Sequence, residues 1–205
     1  MIKGKCLQCS EFYSLSAQLF DGVLLLGRLQ LDAEGVYECS DTGLVFEVSQ
    51  RVKITYCVLS WSKFSTYLTG SWKFAGPIFD VDCDPSILKS VQFPHSLCLA
   101  DKDNEVKFSV LHVKNSRGLI EPSADHSGSH VRWNVSSLSP VGPIVQTSKS
   151  AEHHGVVQVF KEVGHENSFS FRVYLAGNNC SDIKDIRRAV FGGLTPVIPT
   201  RGTYK

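Results

Sequence analysis

Short runs of β-prone residues recur along the chain, separated by turn-forming residues. Within them apolar and polar residues alternate, or apolar residues run together, as in strands that bury one or both faces. Gly, Asp and Asn cluster between the runs, for example at Asp101–Asn104 and Asp125–Ser129, as is typical of reversals between antiparallel strands. The pattern predicts an all-β fold with two packed sheets. The runs are Leu44–Val48, Val52–Leu59, Ile78–Val81, Val106–Leu111, Val131–Val135, Val156–Phe160 and Phe169–Leu175.

The alternation within these runs also predicts a hydrophobic core. Residues two positions apart point to the same face of a strand, so regularly spaced apolar residues mark the buried face. We therefore predict a β-sandwich for residues 35–138. The predicted core positions are Leu44, Phe46, Ile54, Tyr56, Phe79, Phe108 and Val110.

The remaining segments carry weaker patterns. Ser181 or Asp182 can cap a short helix over Ile183–Val190, which has apolar residues at its first, fourth and eighth positions. Residues 1–30 show no clear period, and residues 191–205 are expected to form an irregular tail. The segment from 136 to 150 is rich in Ser, Pro and Gly, which favours a subdomain boundary near it.

Composition narrows the class of function. The chain of 205 residues is 42% hydrophobic and 20% charged, with 21 Lys and Arg against 20 Asp and Glu, as in ordinary globular domains. The charges are interspersed, so we expect no nucleic-acid partner. The longest apolar stretch, Val23–Leu26, is far shorter than the roughly 20 residues of a membrane helix. Without a membrane span or a recognisable signal peptide, the expected location is the cytoplasm.

Cysteine and histidine usage does not predict a metal centre. The seven cysteines form an odd set, mostly within apolar runs, and are expected to be reduced core residues. Cys6 and Cys9 have metal-ligand spacing but lack a matching second pair. We expect the other candidate histidines to lie in solvated loops, and therefore expect neither metal nor cofactor. These histidines are His126, His130, His153 and His154.

Several motifs in sequence order resemble the ZU half of the "function to find" (FIIND) family, found in inflammasome-forming sensors and related to the ZU-UPA pairs of ankyrins and death-domain adaptors. The resemblance runs from about Gly35 to Val190. The resemblance to the ZU half ends at Ser137–Gly142. The sequence of this stretch, Ser-Leu-Ser-Pro-Val-Gly, is similar to the family's Ser-Phe-Ser-Pro-Leu-Gly cleavage site. The other matching stretches are Tyr37–Leu44, Val52–Trp61, Ala75–Asp80, Val91–Cys98 and Leu111–Gly118.

The resemblance implies self-cleavage between Leu138 and Ser139, with Ser139 as the nucleophile. It also implies that His112 is the base and that Glu121 orients His112 or the attacking water. A hydroxyl is a poor nucleophile at neutral pH, so the chemistry requires such a base. Leu138 departs from the family's Phe before the scissile bond.

Other residues complete the sequence interpretation. Pro140 and Gly142 are expected to make the predicted cleavage site a sharp, strained turn. A second Phe-Ser bond, at Phe169-Ser170, lacks the following Pro and Gly and is assigned to a strand. Trp61, Trp72 and Trp133 are expected to be core or strand-face aromatics.

The predicted organisation is a poorly defined segment at 1–34, a ZU-type subdomain at 35–138, a partial UPA subdomain at 139–190 and a tail at 191–205. The function predicted from the resemblance is a self-processing regulatory module of innate-immune inflammasome signalling, cutting its own backbone once with no separate substrate. Expected partners are FIIND-containing or death-fold signalling proteins. The alternatives are a non-cleaving ZU-UPA interaction scaffold and a truncated isoform without activity.

Overall fold

A computed structural model describes residues 23–39, 42–59, 63–101, 103–163, 169–177, 186, 195–196 and 200–204. These residues form an all-β fold of three antiparallel sheets, with a short 3-10 helix at Ser65–Tyr67. The predicted all-β class is confirmed. Within this part of the chain, no helix is long and apolar enough to cross a membrane.

The first sheet contains the strands that matter most for the candidate site. Its order is β1-β4-β6-β12-β8-β9, and β5 also pairs with β12. The strand bounds are β1 (Val23–Leu31), β4 (Val52–Leu59), β5 (Lys73–Phe74), β6 (Ile78–Asp82), β8 (Val106–Lys114), β9 (Arg117–Pro122) and β12 (Val141–Thr147).

The second sheet faces the first, and the third is built around one long strand. The second has the order β10-β11-β7-β3-β2; the third has the order β14-β13-β15, with β16 also paired to β13. The bounds are β2 (Gly35–Glu38), β3 (Val45–Val48), β7 (Leu88–Pro94), β10 (Asp125–His126), β11 (His130–Asn134), β13 (His153–Val163), β14 (Phe169–Gly177), β15 (Thr195–Pro196) and β16 (Thr200–Tyr204).

The main core lies between the first two sheets. All seven predicted core residues are buried, with side chains at most 5% exposed. Aromatic rings cross the interior: Phe79 stacks on Phe93 with centroids 6.1 Å apart, and Phe93 lies 6.3 Å from Trp133. The alternation in the sequence therefore identified the inner faces of both layers.

A smaller cluster covers the outer face of the first sheet. Leu111 and Val113, which flank His112 on β8, are buried there beneath partly buried residues of the segment 64–74. Gly118 on β9 permits this close approach, since a Cβ atom at that position would lie 2.7 Å from the Tyr67 Cβ. The strand that carries His112 is thus packed on both sides.

The third sheet is less enclosed. Val156 and Phe160 of β13 are buried, whereas the odd-numbered residues of β14 from Phe169 to Leu175 are all more than half exposed. The third sheet contacts the segment that follows β7, through the bridge between Leu97 and His153 and through the hydrogen bond from Cys98 N to Glu152 O.

Strands also lie where the sequence predicted none, or a boundary. β1 falls within the segment 1–34, and β15 and β16 fall within the tail 191–205; all three are paired strands. The apolar run at the start of β1 hides any alternation, and β16 is a strand because it pairs with β13. β12 follows the predicted boundary at 138 yet pairs with β8 and β6, so the first sheet extends on both sides of residues 35–138.

Several predictions fall outside the described residues. The helix Ile183–Val190 does so apart from Ile186, as do Cys6, Cys9 and Trp61. Among the described cysteines, Cys39 is buried, while Cys57, Cys83 and Cys98 are partly buried; all four are free thiols.

Candidate active site

The position of His112 follows from its place in the middle of the first sheet. It stands opposite Val141 of β12 on one side and Leu119 of β9 on the other. Because side chains alternate along a strand, His112 shares the inner face with Val110. Its ring is fully buried, which is unusual for a histidine without a polar partner.

Ser139 reaches His112 because β12 begins two residues later. Val141 is opposite His112, and the Val113 N–H donates to the Pro140 carbonyl at 2.8 Å. These contacts hold the segment before β12 against β8. The Ser139 Oγ lies 2.5 Å from His112 Nε2.

Glu121 reaches the other ring nitrogen from β9. It stands opposite Val110, two residues along from the partner of His112, so it is a diagonal neighbour on the same face. Its Oε1 lies 2.7 Å from His112 Nδ1. The structure therefore brings the three residues Ser139, His112 and Glu121 into one hydrogen-bonded chain.

Two donors from outside the first sheet engage the same carboxylate. The Trp133 Nε1–H donates to Glu121 Oε2 at 2.8 Å, and the Ser136 hydroxyl lies 3.2 Å from Oε2 and 3.4 Å from Oε1. The His112 and Trp133 rings pack edge to face, with centroids 5.3 Å apart and an angle of 71° between their planes.

Hydrogen bonds offset the effect of partial burial on the Glu121 carboxyl. Partial burial alone would raise its pKa, but the hydrogen bonds from His112, Trp133 and Ser136 stabilise the carboxylate and lower the pKa below its ordinary value. An ionised carboxylate only accepts hydrogen bonds, so His112 donates through Nδ1. In the neutral ring Nε2 then accepts the Ser139 hydroxyl proton, as a general base must.

The residues before the predicted scissile bond are also held in place. Leu138 is partly buried and packs against the main core. The Lys114 Nζ donates to the Ser137 hydroxyl at 3.1 Å. The peptide bond between Leu138 and Ser139 is therefore anchored on both sides, by a side chain before it and by a strand after it.

The predicted turn is only partly correct. Pro140 lies in a bend before β12, but Gly142 lies within β12 opposite Leu111, since the ladder extends to that residue. In the described residues, positive φ at non-glycine positions occurs at Asn115 and Ser116, in the β8–β9 hairpin. The structure therefore gives no left-handed backbone strain at the bond between Leu138 and Ser139.

The other candidate residues lie elsewhere. The bond between Phe169 and Ser170 is in β14, where Ser170 stands opposite Glu162 of β13; the assignment to a strand is confirmed. The four histidines predicted to lie in loops are in strands, although all are exposed or half-buried: His126 in β10, His130 in β11, and His153 and His154 in β13. In the described ranges no three His, Cys, Asp or Glu side chains form a group able to hold a metal ion.

The sequence interpretation missed the polar contacts of Trp133, Ser136 and Lys114. Trp133 is buried as predicted, at 1% exposure. A buried indole N–H usually has a hydrogen-bond acceptor, so the predicted burial of Trp133 already indicates a polar partner. For Ser136 and Lys114, no comparable signal exists in the chain.

Comparison with known proteins gives two concordant results. The family model described as "FIIND: Function to find" matches residues 25–151. Among curated proteins, the chain is similar to NACHT, LRR and PYD domains-containing protein 1b of Mus musculus: 29% identical over 180 residues for allele 5 and 30% over 169 residues for allele 1. These alignments cover 84% and 78% of the chain.

A rat protein is similar over a comparable share of the chain. NACHT, LRR and PYD domains-containing protein 1a allele 1 of Rattus norvegicus is 27% identical over 183 residues, which cover 86% of the chain. The alignments cover 14% to 15% of the length of these relatives.

Proposed function

The chain belongs to the FIIND family, and we propose that it is a self-processing regulatory module that cuts its own backbone between Leu138 and Ser139. The observation that carries the proposal is the hydrogen-bonded chain from Ser139 Oγ through His112 to Glu121, with contacts of 2.5 Å and 2.7 Å. A nucleophile, a base and an acid that orients the base are the requirements of serine-based acyl transfer.

In the proposed first step, Ser139 Oγ attacks the Leu138 carbonyl carbon while His112 Nε2 accepts the hydroxyl proton. The tetrahedral intermediate then collapses, breaking the bond between the Leu138 carbonyl carbon and the Ser139 nitrogen. The imidazolium returns the proton to that nitrogen, which leaves as an amine. The product is an ester between the Leu138 carbonyl and the Ser139 oxygen.

In the second step, water hydrolyses this ester. The products are a carboxylate at Leu138 and an amino-terminal Ser139 with its hydroxyl restored. Each chain reacts once, because the substrate is its own backbone. Since nucleophile and carbonyl lie in adjacent residues, no binding step is needed, and the fold has only to hold the attack geometry.

The experiment is a denaturing gel with intact mass measurement on the purified chain during prolonged incubation. We expect two pieces, the second beginning at Ser139, and a cut fraction that does not change on dilution. Intact mass throughout, for this chain and for its Leu138→Phe variant, would reject self-processing.

The wider role is part of the same proposal. We place the module in the cytoplasm, regulating inflammasome signalling through contacts with FIIND-containing or death-fold proteins. The curated relatives match the chain over only 15% of their own length.

Two observations favour a second candidate, a non-cleaving ZU-UPA interaction scaffold. Leu138 replaces the aromatic residue of the family's cleavage site, and β14 exposes four large apolar side chains on one face. These are Phe169, Phe171, Val173 and Leu175. Exposed apolar surface of this kind marks interaction sites. If the chain is a scaffold, we expect it to remain uncut and to bind a FIIND-containing partner.

A further inference from the structure

Trp133 connects the two layers of the sandwich at the candidate site. It lies on β11 of the second sheet, whereas His112 and Glu121 lie on β8 and β9 of the first. Its indole N–H donates to Glu121 Oε2, and its ring packs edge to face with the His112 ring. A single side chain therefore contacts both the base and the acid.

We propose that Trp133 is a positioning residue that holds the Glu121 carboxylate, ionised, against His112; its role in cleavage rests on the proposed function above. Glu121 has two oxygens, and each has its own nitrogen donor: Oε1 faces His112 Nδ1 and Oε2 faces Trp133 Nε1. A carboxylate held at both oxygens has one orientation. The ring orientation of His112 then follows from that of its acid.

The chemistry of the indole fits this role. Its nitrogen is only a donor, so its partner must be an acceptor. A donor directed at a carboxylate favours the ionised form over the protonated form. An ionised Glu121 in turn keeps the proton on His112 Nδ1 and leaves Nε2 free to accept the Ser139 proton.

Few other groups face this carboxylate. The titratable group that faces it from β8 is His112. The groups that contact it from β11 and from the segment after β11 are Trp133 and Ser136, whose side chains stay uncharged at the pH values of these experiments. Lys114, two residues beyond His112, donates to Ser137. Changing Trp133 therefore removes one defined donor without removing a charge.

The test uses Trp133→Phe, which keeps an aromatic ring beside His112 and removes the N–H. Its matched control is Trp72→Phe, the same change in a tryptophan that packs on the outer face. In chains carrying Ser139→Ala, the Glu121 pKa is measured by carbon NMR of the carboxyl group. We expect Trp133→Phe to raise this pKa and Trp72→Phe to leave it unchanged.

Cleavage provides the second readout in chains with Ser139 intact. We expect Trp133→Phe to slow cutting roughly tenfold at neutral pH, the effect of losing one hydrogen bond to a charged group. A merely structural role would lower the melting temperature and slow cutting without raising the Glu121 pKa in the Ser139→Ala chain.

The two readouts separate the two proposals. An unchanged Glu121 pKa in Trp133→Phe, or a cleavage rate equal to that of Trp72→Phe, overturns the role of Trp133. If the wild-type chain never cuts, the proposed function fails, and the NMR titration still decides whether Trp133 holds the carboxylate.

Discussion

His112 Nε2 lies 2.5 Å from Ser139 Oγ, although 27 residues separate them in the chain. The contact depends on the pairing of β8 with β12, which places Val141 opposite His112. A slip of one residue would move His112 to the other face of its partner strand. Since the strand register aligns these two side chains, we expect chemistry at this site only in the folded sandwich.

Ser139→Ala should abolish cleavage and leave the fold intact, because it removes only the attacking hydroxyl. Intact mass and circular dichroism on the purified variant measure both effects. Ser170→Ala, at the other Phe-Ser bond, is the matched control and should cut at the wild-type rate. Persistent cleavage of Ser139→Ala before residue 139 would exclude Ser139 as the nucleophile.

His112→Ala should reduce the cleavage rate by about a hundredfold or more, since an unassisted hydroxyl keeps its proton at neutral pH. His126→Ala removes an exposed histidine and serves as the control. First-order rates from gel densitometry at pH 7 compare the two. A His112→Ala chain that is folded by circular dichroism and cuts normally would contradict the assignment of the base.

Leu138→Phe should speed cleavage. Leu138 already packs against the core, and a larger side chain with more contacts would hold the carbonyl more firmly in the attack geometry. We expect a severalfold increase in the first-order rate over wild type. A slower Leu138→Phe chain would indicate that the core has no room for the ring.

The lowered pKa of Glu121 makes stability depend on pH in a defined window. Its stabilising contribution is complete above the ordinary carboxyl value of 4.5 and is lost as the pH falls below that value through the lowered one. At neutral pH, the free energy of unfolding in urea should be larger for the Ser139→Ala chain than for the double variant that also carries Glu121→Gln. This difference should shrink only below about pH 4.5; a difference that shrinks already near pH 6 would contradict the lowered pKa.

Ser116→Gly should stabilise the fold. Asn115 and Ser116 connect β8 to β9 and both have positive φ, 51° and 57°, as in a type I′ turn, which favours Asn followed by Gly. We expect the unfolding free energy to rise by about 0.5 to 1 kcal/mol. Asn115→Ala, which introduces strain at the neighbouring position, should lower it. Equal stability of the two variants would argue against a left-handed requirement in this turn.

Much of the fold was predictable because alternation reports directly on burial. The run Val52–Leu59 coincides with β4, and Phe46 and Ile54 are fully buried. β1 was missed because Val23–Leu26 is continuously apolar and so shows no period. The alternation that follows Gly27 is too short to be recognised. Glycine is required at position 27 because a Cβ atom there would lie 2.3 Å from the Tyr56 ring.

The candidate site was predictable from family resemblance but not from local pattern. Ser139, His112 and Glu121 are separated in sequence, and their contacts depend on two strand registers that alternation does not specify. The contribution of Trp133 depends on how the two sheets face each other. Such long-range geometry has no signature in a single sequence.

β12 has a mechanical consequence for a chain cut before Ser139. It is an interior strand, paired with β8 on one side and with β6 and β5 on the other. The newly formed amino terminus would therefore remain within a sheet whose neighbouring strands belong to the other fragment. Backbone hydrogen bonds on both sides of β12 would hold it there. Dissociation would amount to unfolding the sandwich, so the lifetime of the nicked pair would be set by the unfolding rate rather than by a binding equilibrium.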